Sequence, residues 1–388
     1  MNGICCDDTY EAMFKPITMR FVGTQPSGHL SFGYDVASMT GREVLQLTNG
    51  PVLVIADNTV VKLGIAQAIF DSLEEYNVEY DVFTDIQPEP YIKDAARAVA
   101  AAKMKDYGAV IGIGGGSALD TAKLAAAMAR SDADLKSVFD DPSLITSCLP
   151  KILIPTTSGT GSEVSPYIVL CDDDGKKAFI GPPQLYATVA LVDPRLTITM
   201  PASVTASTGL DALTHGVEGA CGAQNPYTEA LAAKCVELVL KYLPRAVKDG
   251  NDLEARYYMA FASVLGMMSY TQGGGLYAHS LSYILTKRCG LSHGAGCAIA
   301  LANTLRFNAP KISKLISYLE LASECGNLAD SIYELIKNVG LPTKLSDIGI
   351  SESELPHMAQ ELVTTYFRSK NPVEMRADQA LEILKDIF

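Results

Sequence analysis

The chain has 388 residues, of which 48% are hydrophobic and 19% charged, and this is enough for two domains with a large buried core. Its net charge of −13 argues against nucleic acid and anionic membranes as partners, because neither attracts an acidic surface. No apolar run reaches the ~18 residues of a membrane-spanning helix, and the opening segment lacks the basic flank and apolar stretch of a signal peptide. We therefore expect a cytoplasmic protein whose nine scattered cysteines are reduced.

The first half of the chain alternates between strand and helix patterns. After a poorly patterned extension, short strands are predicted at 19–23 and 29–36. The series then continues with strand 51–57, helix 60–76, strand 78–86, helix 92–106, strand 109–117 running into a glycine loop, and helix 118–130. Three further strand-like segments lie at 151–161, 165–172 and 188–194. Apolar, β-branched strands that alternate with helices indicate a parallel sheet covered on both faces.

The pattern becomes helical after Pro194, and strand-like runs are scarce from there to Phe388. We therefore predict a Rossmann-like α/β domain over 1–196 and an all-α domain over 197–388. The ligand is expected to bind between the two.

A strand, three glycines and a helix follow one another in the segment VIGIGGGSALDTAK. Gly114, Gly115 and Gly116 let the backbone turn sharply and approach a phosphate with no Cβ in the way, and the start of the helix favours an anion. The spacing of Ser117 and Asp120 predicts a capping box. A plain tight turn between strand and helix is the alternative interpretation.

Two other features suit a dinucleotide. The loop Pro155–Glu163 carries five hydroxyls that could line a pyrophosphate or a nicotinamide carboxamide. Asp57, at the end of strand 51–57, can accept hydrogen bonds from the adenosine ribose and repel a 2′-phosphate, which would favour NAD(H) over NADP(H). Alternatively, Asp57 only opens the turn that continues through Asn58 and Thr59.

Four residues form a candidate metal site. The chain has five histidines, and the spacing of Asp211 and His215 places a carboxylate and an imidazole on one helix face. His279 and His293 follow. A single such pair is more often solvated or a helix cap, but one oxygen and three nitrogens together suit Fe²⁺ or Zn²⁺ better than Mg²⁺ or Ca²⁺.

Several segments resemble the iron-containing (group III) alcohol dehydrogenases, which have the dehydroquinate-synthase-like fold. The resemblance covers nearly the whole chain after the first twenty residues. It is carried by the spacing of His279 and His293 and by the segments IGIGGGSALDTAK, PTTSGTGSEVS and LVDPRLTITMPASVTASTGLDALTHGVE. It implies an N-terminal NAD(H)-binding domain, a helical metal-binding domain, a cleft between them, and a homodimer or larger homo-oligomer.

The resemblance also assigns roles to single residues. Asp211, His215, His279 and His293 match the family's metal ligands, which usually hold Fe²⁺, with Zn²⁺ possible. The predicted cofactor-binding residues are Asp57, Gly115, Gly116, Ser117, Asp120, Thr156, Thr157, Thr160, Lys177 and Leu196. Among these, Lys177 matches a lysine that contacts the nicotinamide ribose, with Lys176 as its rival, and Leu196 matches a residue near the adenine.

The chain departs from the family pattern at residues expected to surround the substrate. Tyr283 stands where the family commonly has a histidine proposed as a proton relay; a phenol can pass a proton but is a poor base near pH 7. The usual Phe-x-Asn segment is replaced by Tyr270, Thr271 and Gln272. We expect a more polar pocket, faced also by Tyr167 and Tyr277.

The predicted activity is metal-dependent hydride transfer between NAD(H) and a small primary alcohol or aldehyde, mainly in the direction of aldehyde reduction. The alternative substrate is an anionic short aldehyde such as sulfoacetaldehyde, for which Lys287 and Arg288 could supply charge unless they are simply an exposed basic pair. A lyase of the dehydroquinate-synthase type would require several basic residues for a phosphorylated substrate. A non-catalytic sensor or scaffold would follow if the ligands did not converge.

Overall fold

The computed structural model describes residues 28–388, so the strand predicted at 19–23 lies outside the described residues. The strands of the described part are β1 (His29–Phe32), β2 (Val52–Ala56), β3 (Tyr80–Phe83), β4 (Ala109–Gly114), β5 (Lys151–Pro155), β6 (Ile168–Cys171), β7 (Lys177–Ile180) and β8 (Val189–Val192). Six of them form one parallel sheet in the order β1-β8-β5-β4-β2-β3. The predicted parallel α/β architecture is confirmed.

The central strands are apolar on both faces, as a covered parallel sheet requires. Val52 and Val54 of β2 pack into one hydrophobic cluster, whereas Leu53 and Ile55 pack into another on the opposite face. The first half also contains helices α1 (Thr40–Leu47), α2 (Asn58–Lys62), α3 (Gln67–Glu75), α4 (Ile92–Ala102), α5 (Gly116–Met128) and α6 (Leu135–Asp140). Helices α1 and α6 have no counterpart in the sequence prediction.

Two predicted elements of this half are wrong in detail. The segment 60–76 is not one helix, because the chain breaks between α2 and α3, where Gly64 has a φ of +70° that favours glycine. The strand predicted at 165–172 does not join the parallel sheet. It forms β6, which pairs antiparallel with β7 in a separate two-stranded sheet.

The second half is helical. Its helices are α7 (Ala202–Ala223), α8 (Pro226–Lys248), α9 (Leu253–Gly273), α10 (Tyr277–Cys289), α11 (His293–Ala322), α12 (Leu328–Asn338), α13 (Leu355–Thr364) and α14 (Ala377–Asp386). Helix α11 is kinked, with Pro310 inside it and a non-helical φ of −129° at Ile312. No helix of residues 28–388 combines the length and apolar character needed to cross a membrane. The division of domains at 196/197 stays a prediction.

Helix α9 belongs to both halves. Val264, Met267 and Tyr270 lie in the hydrophobic cluster on one face of the sheet, whereas Met259 and Leu265 lie in the core of the helical half. The two halves therefore share one continuous helix at their junction.

The carboxyl ends of the central strands lie side by side. The Asp57 N–H donates to the Ile113 carbonyl at 3.1 Å, and the Thr156 N–H donates to the Gly114 carbonyl at 3.0 Å. The residues that follow β2, β4 and β5 therefore meet at one edge of the sheet, where parallel α/β proteins bind their ligands.

Candidate active site

The glycine loop lies between β4 and α5. Gly114 has a φ of +146°, and a Cβ there would lie 2.7 Å from the Ala118 Cβ, so only glycine fits. Gly115 caps α5 with its backbone, and a Cβ on Gly116 would come within 3.0 Å of the Thr160 side chain. The loop thus offers a bare backbone at the N-terminus of a 13-residue helix, which suits a phosphate.

The predicted capping box at this helix is wrong, because α5 starts at Gly116 and shows no side-chain cap. Ser117 lies inside the first turn and lines the neighbouring cavity. Asp120 turns away from the helix start: its carboxylate accepts hydrogen bonds from the Ser162 hydroxyl at 2.6 Å and the Val169 N–H at 3.0 Å. Fully buried Lys123 also contacts it, at 3.3 Å. Asp120 therefore ties α5 to the segment that follows β5, although it also lines the cavity.

The hydroxyl loop packs closely on the helical half. Gly159 and Gly161 have no room for a Cβ, because Thr208 of α7 and Met267 of α9 lie directly against them. Thr157 lies beside Gly115, and Thr160 lies beside Gly116. The loop is therefore held between the two halves with Thr157 and Thr160 next to the glycines. Thr156 is buried at its start.

Two further cofactor candidates, Asp57 and Leu196, lie in different surroundings. Asp57 caps α2, where its Oδ1 accepts the Thr59 N–H at 2.7 Å. Its Cβ would be 3.2 Å from a Cβ on Gly114, so the carboxylate is next to the glycine loop. Leu196 is buried in the hydrophobic cluster of the sheet and does not line the cavity.

Lys177 of β7 lines the cavity and forms an ion pair with Glu89, whereas Lys176 is exposed and does not line it. Burial lowers the pKa of Lys177, but its contacts with Glu89 and Cys171 more than compensate and raise the pKa above its ordinary value. Lys177 is therefore a cation at neutral pH, with a carboxylate already paired to it.

The four predicted metal ligands converge. Asp211 and His215 lie one turn apart on α7, His279 lies on α10, and His293 begins α11. The Asp211 Oδ1 lies 3.8 Å from the His215 Nε2 and 3.6 Å from the His293 Nε2. The rings of His215 and His279 are 5.0 Å apart between centroids, and those of His279 and His293 are 5.5 Å apart.

A second set of contacts turns the imidazoles toward a common centre. The His279 Nδ1 contacts the Glu218 carboxylate at 2.6 Å, the His215 Nδ1 contacts the Gly159 carbonyl at 3.2 Å, and the His293 Nδ1 contacts the Ser282 hydroxyl at 2.9 Å. Each contact leaves the Nε2 atom free to bind, as is usual for histidine ligands. Burial raises the pKa of Glu218 to about 7, although the N–H groups of Leu276 and Ala278 oppose that rise.

The donor set fits a divalent cation. The Asp211 Oδ1 and the His279 Nε2 are buried and have no hydrogen-bond partner, and such groups are costly unless something binds them. Burial lowers the pKa of both His215 and His279, so both imidazoles are neutral, which is the form that binds metals.

The sequence interpretation missed two neighbours of this cluster. One is Glu218, one turn after His215 on α7. The other is Cys297, whose Sγ lies 3.7 Å from the His293 Nε2. The ligand atoms of Asp211, His279, His293 and Cys297 all lie within 4.8 Å of one another. Cys297 could have been found from the sequence, because it follows His293 by four residues, the same spacing that separates Asp211 from His215.

One cavity of about 390 Å³ joins the glycine loop to the histidine cluster. Gly116 and Ser117 line one side of it, and Asp211, His279 and His293 line the other. Its aromatic wall consists of Tyr167, Phe179, Tyr270 and Tyr283. Glu89 and Pro90, which the sequence interpretation did not single out, also line it.

Two predicted pocket residues lie elsewhere. Tyr277 is fully buried in the core of the helical half, and Gln272 lies at the end of α9 with its carbonyl accepting from Lys370. Neither lines the cavity. The basic pair is also remote, because Arg288 binds Glu354 and Glu361 on the protein surface.

Tyr283 stacks on His293 with 5.5 Å between ring centroids. The Arg368 guanidinium also lies over the Tyr283 ring, 5.6 Å from the ring centroid. Burial raises the pKa of Tyr283, so it is a neutral phenol at pH 7 and holds its proton at the cavity wall.

The sequence pattern described as "Iron-containing alcohol dehydrogenase" matches residues 27–194, and that of "Fe-containing alcohol dehydrogenase family, C-terminal" matches residues 205–388. The chain belongs to the iron-containing alcohol dehydrogenase family. It is 35% identical to long-chain-alcohol dehydrogenase 1 of Geobacillus thermodenitrificans, over 87% of this chain and 89% of that protein. As a member of this family, it is an oxidoreductase of the alcohol dehydrogenase type.

Solved structures support the assignment of the chain to this family. The crystal structure of a 1,3-propanediol oxidoreductase superposes with a TM-score of 0.89 at 27% identity and covers 94% of this chain and 98% of its own. Sulfoacetaldehyde reductase from Bifidobacterium kashiwanohense, solved in complex with NAD⁺, superposes with a TM-score of 0.86 at 29% identity, covering 93% and 97%. The fold of the iron-containing alcohol dehydrogenases thus extends over nearly the whole chain.

Proposed function

We propose that this protein reduces small aldehydes to primary alcohols with NADH and a divalent metal ion, and catalyses the reverse oxidation with NAD⁺. The observation that supports this most directly is the single cavity whose walls carry both the glycine loop and the Asp211–histidine cluster. A hydride donor and a Lewis acid held at these two places would act on one substrate.

Asp211, His215, His279 and His293 would hold the metal. Bound Fe²⁺, or Zn²⁺ in its place, supplies a Lewis acid for a carbonyl or alkoxide oxygen. The protein would supply one carboxylate oxygen from Asp211 and one imidazole nitrogen from each of the three histidines. Glu218 keeps the His279 ring in place through its 2.6 Å contact with Nδ1, and Ser282 does the same for His293.

NAD(H) supplies or accepts the hydride at its nicotinamide ring. Gly115, Gly116 and Ser117 would contact the pyrophosphate, and Lys177 would contact the nicotinamide ribose. Thr156, Thr157 and Thr160 would lie beside the cofactor, and Asp57 would favour NAD(H) over NADP(H). This arrangement is supported by the backbone without side chains at the start of α5 and by the position of Lys177 on the cavity wall.

Tyr283 would pass a proton at the substrate. Its neutral phenol stacks on a proposed metal ligand and lines the cavity. Because its raised pKa keeps the phenol protonated at pH 7, Tyr283 has a proton to pass to the product oxygen, and in this form it does not act as a base.

A neutral aldehyde fits this cavity better than an anionic one. Among residues 28–388, Lys177 is the one lysine or arginine that lines the cavity, and Glu89 already forms an ion pair with it. Lys287 and Arg288 are exposed and do not line the cavity, so this basic pair does not supply charge to the substrate pocket. The similarity to a sulfoacetaldehyde reductase keeps the anionic aldehyde as the second candidate.

The test is to purify the protein without oxygen, measure its metal content, and follow NADH consumption with neutral and anionic aldehydes of matched size. We expect about one metal per chain and higher kcat/KM for the neutral aldehydes. Asp211→Ala and His279→Ala should lose metal and turnover together, by at least about 100-fold in kcat/KM.

His357→Ala is the matched control, since this histidine is exposed on α13 and far from the cavity. It should keep both metal and activity. Full metal content and turnover in Asp211→Ala would refute the proposed site. Net NADH consumption would also separate a dehydrogenase from a lyase that recycles its NAD.

We propose in addition that the enzyme is a cytoplasmic homodimer or larger homo-oligomer. Among residues 28–388, strand β1 lies at one edge of the sheet and pairs only with β8. An edge strand of this kind can pair with another chain. Light scattering on the purified protein would measure the assembly, and a monomeric mass would refute it.

A further inference from the structure

Cys297 lies on the second turn of α11 and is fully buried. It follows His293 by one helical turn, so both side chains lie on the same face of the helix. That face points toward the Asp211–histidine cluster, because the Sγ of Cys297 lies 3.7 Å from the His293 Nε2.

The distances are close to those of a shared cation. Bonds of about 2.3 Å to sulfur and about 2.1 Å to nitrogen allow two donors of one metal to lie at most about 4.4 Å apart. The ligand atoms of Asp211, His279, His293 and Cys297 lie within 4.8 Å of one another. A shift of a few tenths of an ångström brings all four into one coordination sphere.

Two other buried cysteines of the described residues, Cys221 and Cys235, have ordinary surroundings. The Cys235 thiol donates to the Ala212 carbonyl at 3.3 Å, and Cys221 lies in the hydrophobic core of the helical half. The sulfur of Cys297 instead lies within 4.8 Å of a ligand atom of Asp211 and of His279, and each of these residues has a buried polar atom without a partner. These unsatisfied atoms mark the centre toward which Cys297 points.

We infer that Cys297 is a further metal ligand, bound as a thiolate beside the carboxylate and the imidazoles. Metal binding releases the thiol proton to solvent. A thiolate adds a soft donor to the nitrogen and oxygen set, and soft donors favour Zn²⁺ and Co²⁺ over Fe²⁺. This inference rests on the proposed metal site and adds that the chain retains zinc more tightly than a site without sulfur would.

The experiment uses the full-length protein loaded with Co²⁺ after removal of its native metal. A cobalt–thiolate bond gives a sulfur-to-metal charge-transfer band in the near ultraviolet, which carboxylate and imidazole ligands do not give. We expect this band in the wild type and its loss in Cys297→Ala and in the nearly isosteric Cys297→Ser. The Zn²⁺ dissociation constant should rise by roughly 10-fold or more in both variants.

Cys221→Ala is the matched control, because this cysteine is equally buried but lies away from the cluster. It should keep the band and the zinc affinity. One bound Co²⁺ per chain without the band, or a band that persists in Cys297→Ser, would overturn the thiolate ligand and leave the proposed metal site intact. A wild type that binds no Co²⁺ would overturn both.

Discussion

Asp57 shows how one carboxylate can serve both the fold and a cofactor. Its Oδ1 caps α2 through the Thr59 N–H, which supports the interpretation of a turn-forming residue. It also lies beside Gly114 at the carboxyl edge of the sheet, where a negative charge repels a 2′-phosphate. The two interpretations that the sequence left open are therefore compatible.

The two roles of Asp57 can be separated by mutation. Asp57→Gly removes the charge and the cap, and it should improve kcat/KM for NADPH relative to NADH by about 10-fold, with a loss of stability of a few tenths of a kcal/mol. Steady-state kinetics with both cofactors, together with thermal melts, would measure the two effects.

Asp57→Asn is the matched variant, because an asparagine keeps an oxygen that can cap the helix. It should show the change in cofactor preference without the change in stability. If both variants keep the wild-type ratio of NADH to NADPH use, Asp57 has only its structural role.

Single residues also show where prediction from sequence fails. Tyr277 precedes His279 by two positions on α10, which turns it about 200° around the helix and into the core instead of the cavity. Glu89 lies on a loop, has a φ of +48° and lines the cavity. No local sequence pattern predicts this position or the ion pair of Glu89 with Lys177.

At the level of elements, the start of α5 is the part of the site that depends most on backbone shape. Gly116→Ala should raise the KM for NADH by about 10-fold with a smaller change in kcat, because the new Cβ enters the space expected for the pyrophosphate and lies 3.0 Å from the Thr160 side chain. Alanine is the better helix former by up to about 1 kcal/mol, so the melting temperature should not fall much. Initial-rate kinetics and calorimetry would test both points.

Gly326→Ala is the control, since a Cβ at Gly326 would meet nothing within 4 Å. It should leave the KM for NADH unchanged. An unchanged KM in Gly116→Ala would show that the pyrophosphate does not bind at this loop.

The parts of the candidate site that depend on residues close together in the sequence were predictable. The pairing of Asp211 with His215 follows from one helical turn, and the glycine loop follows from a buried strand next to a helix. The role of Asp120 was not predictable, because its partners Ser162 and Val169 come from a distant segment that only the tertiary fold brings to α5. The antiparallel pairing of β6 with β7 depends likewise on a turn that apolar periodicity does not reveal.

At the level of the whole molecule, the metal should stabilise the folded state. Its proposed ligands come from α7, α10 and α11, so binding links three helices of one core. Removing the metal with a chelator should lower the melting temperature by several degrees, since a ligand at 100 times its Kd contributes about 2.7 kcal/mol. Differential scanning calorimetry with and without added metal would measure this.

The melting temperature of Asp211→Ala should be the same with and without added metal. A wild-type protein that is equally insensitive would argue that no tightly bound ion connects these helices.

Helix α9 constrains how the enzyme can move during turnover. Because one side of it is embedded in the sheet cluster and the other in the helical core, the halves cannot swing apart as independent bodies without extracting a helix from one of them. If the cavity binds NAD(H) as proposed, exchange of the nucleotide then requires local movement of the cavity wall, to which Glu89 and Pro90 contribute. Substitutions that stiffen this part of the wall would slow release of the oxidised nucleotide while leaving the chemical step untouched.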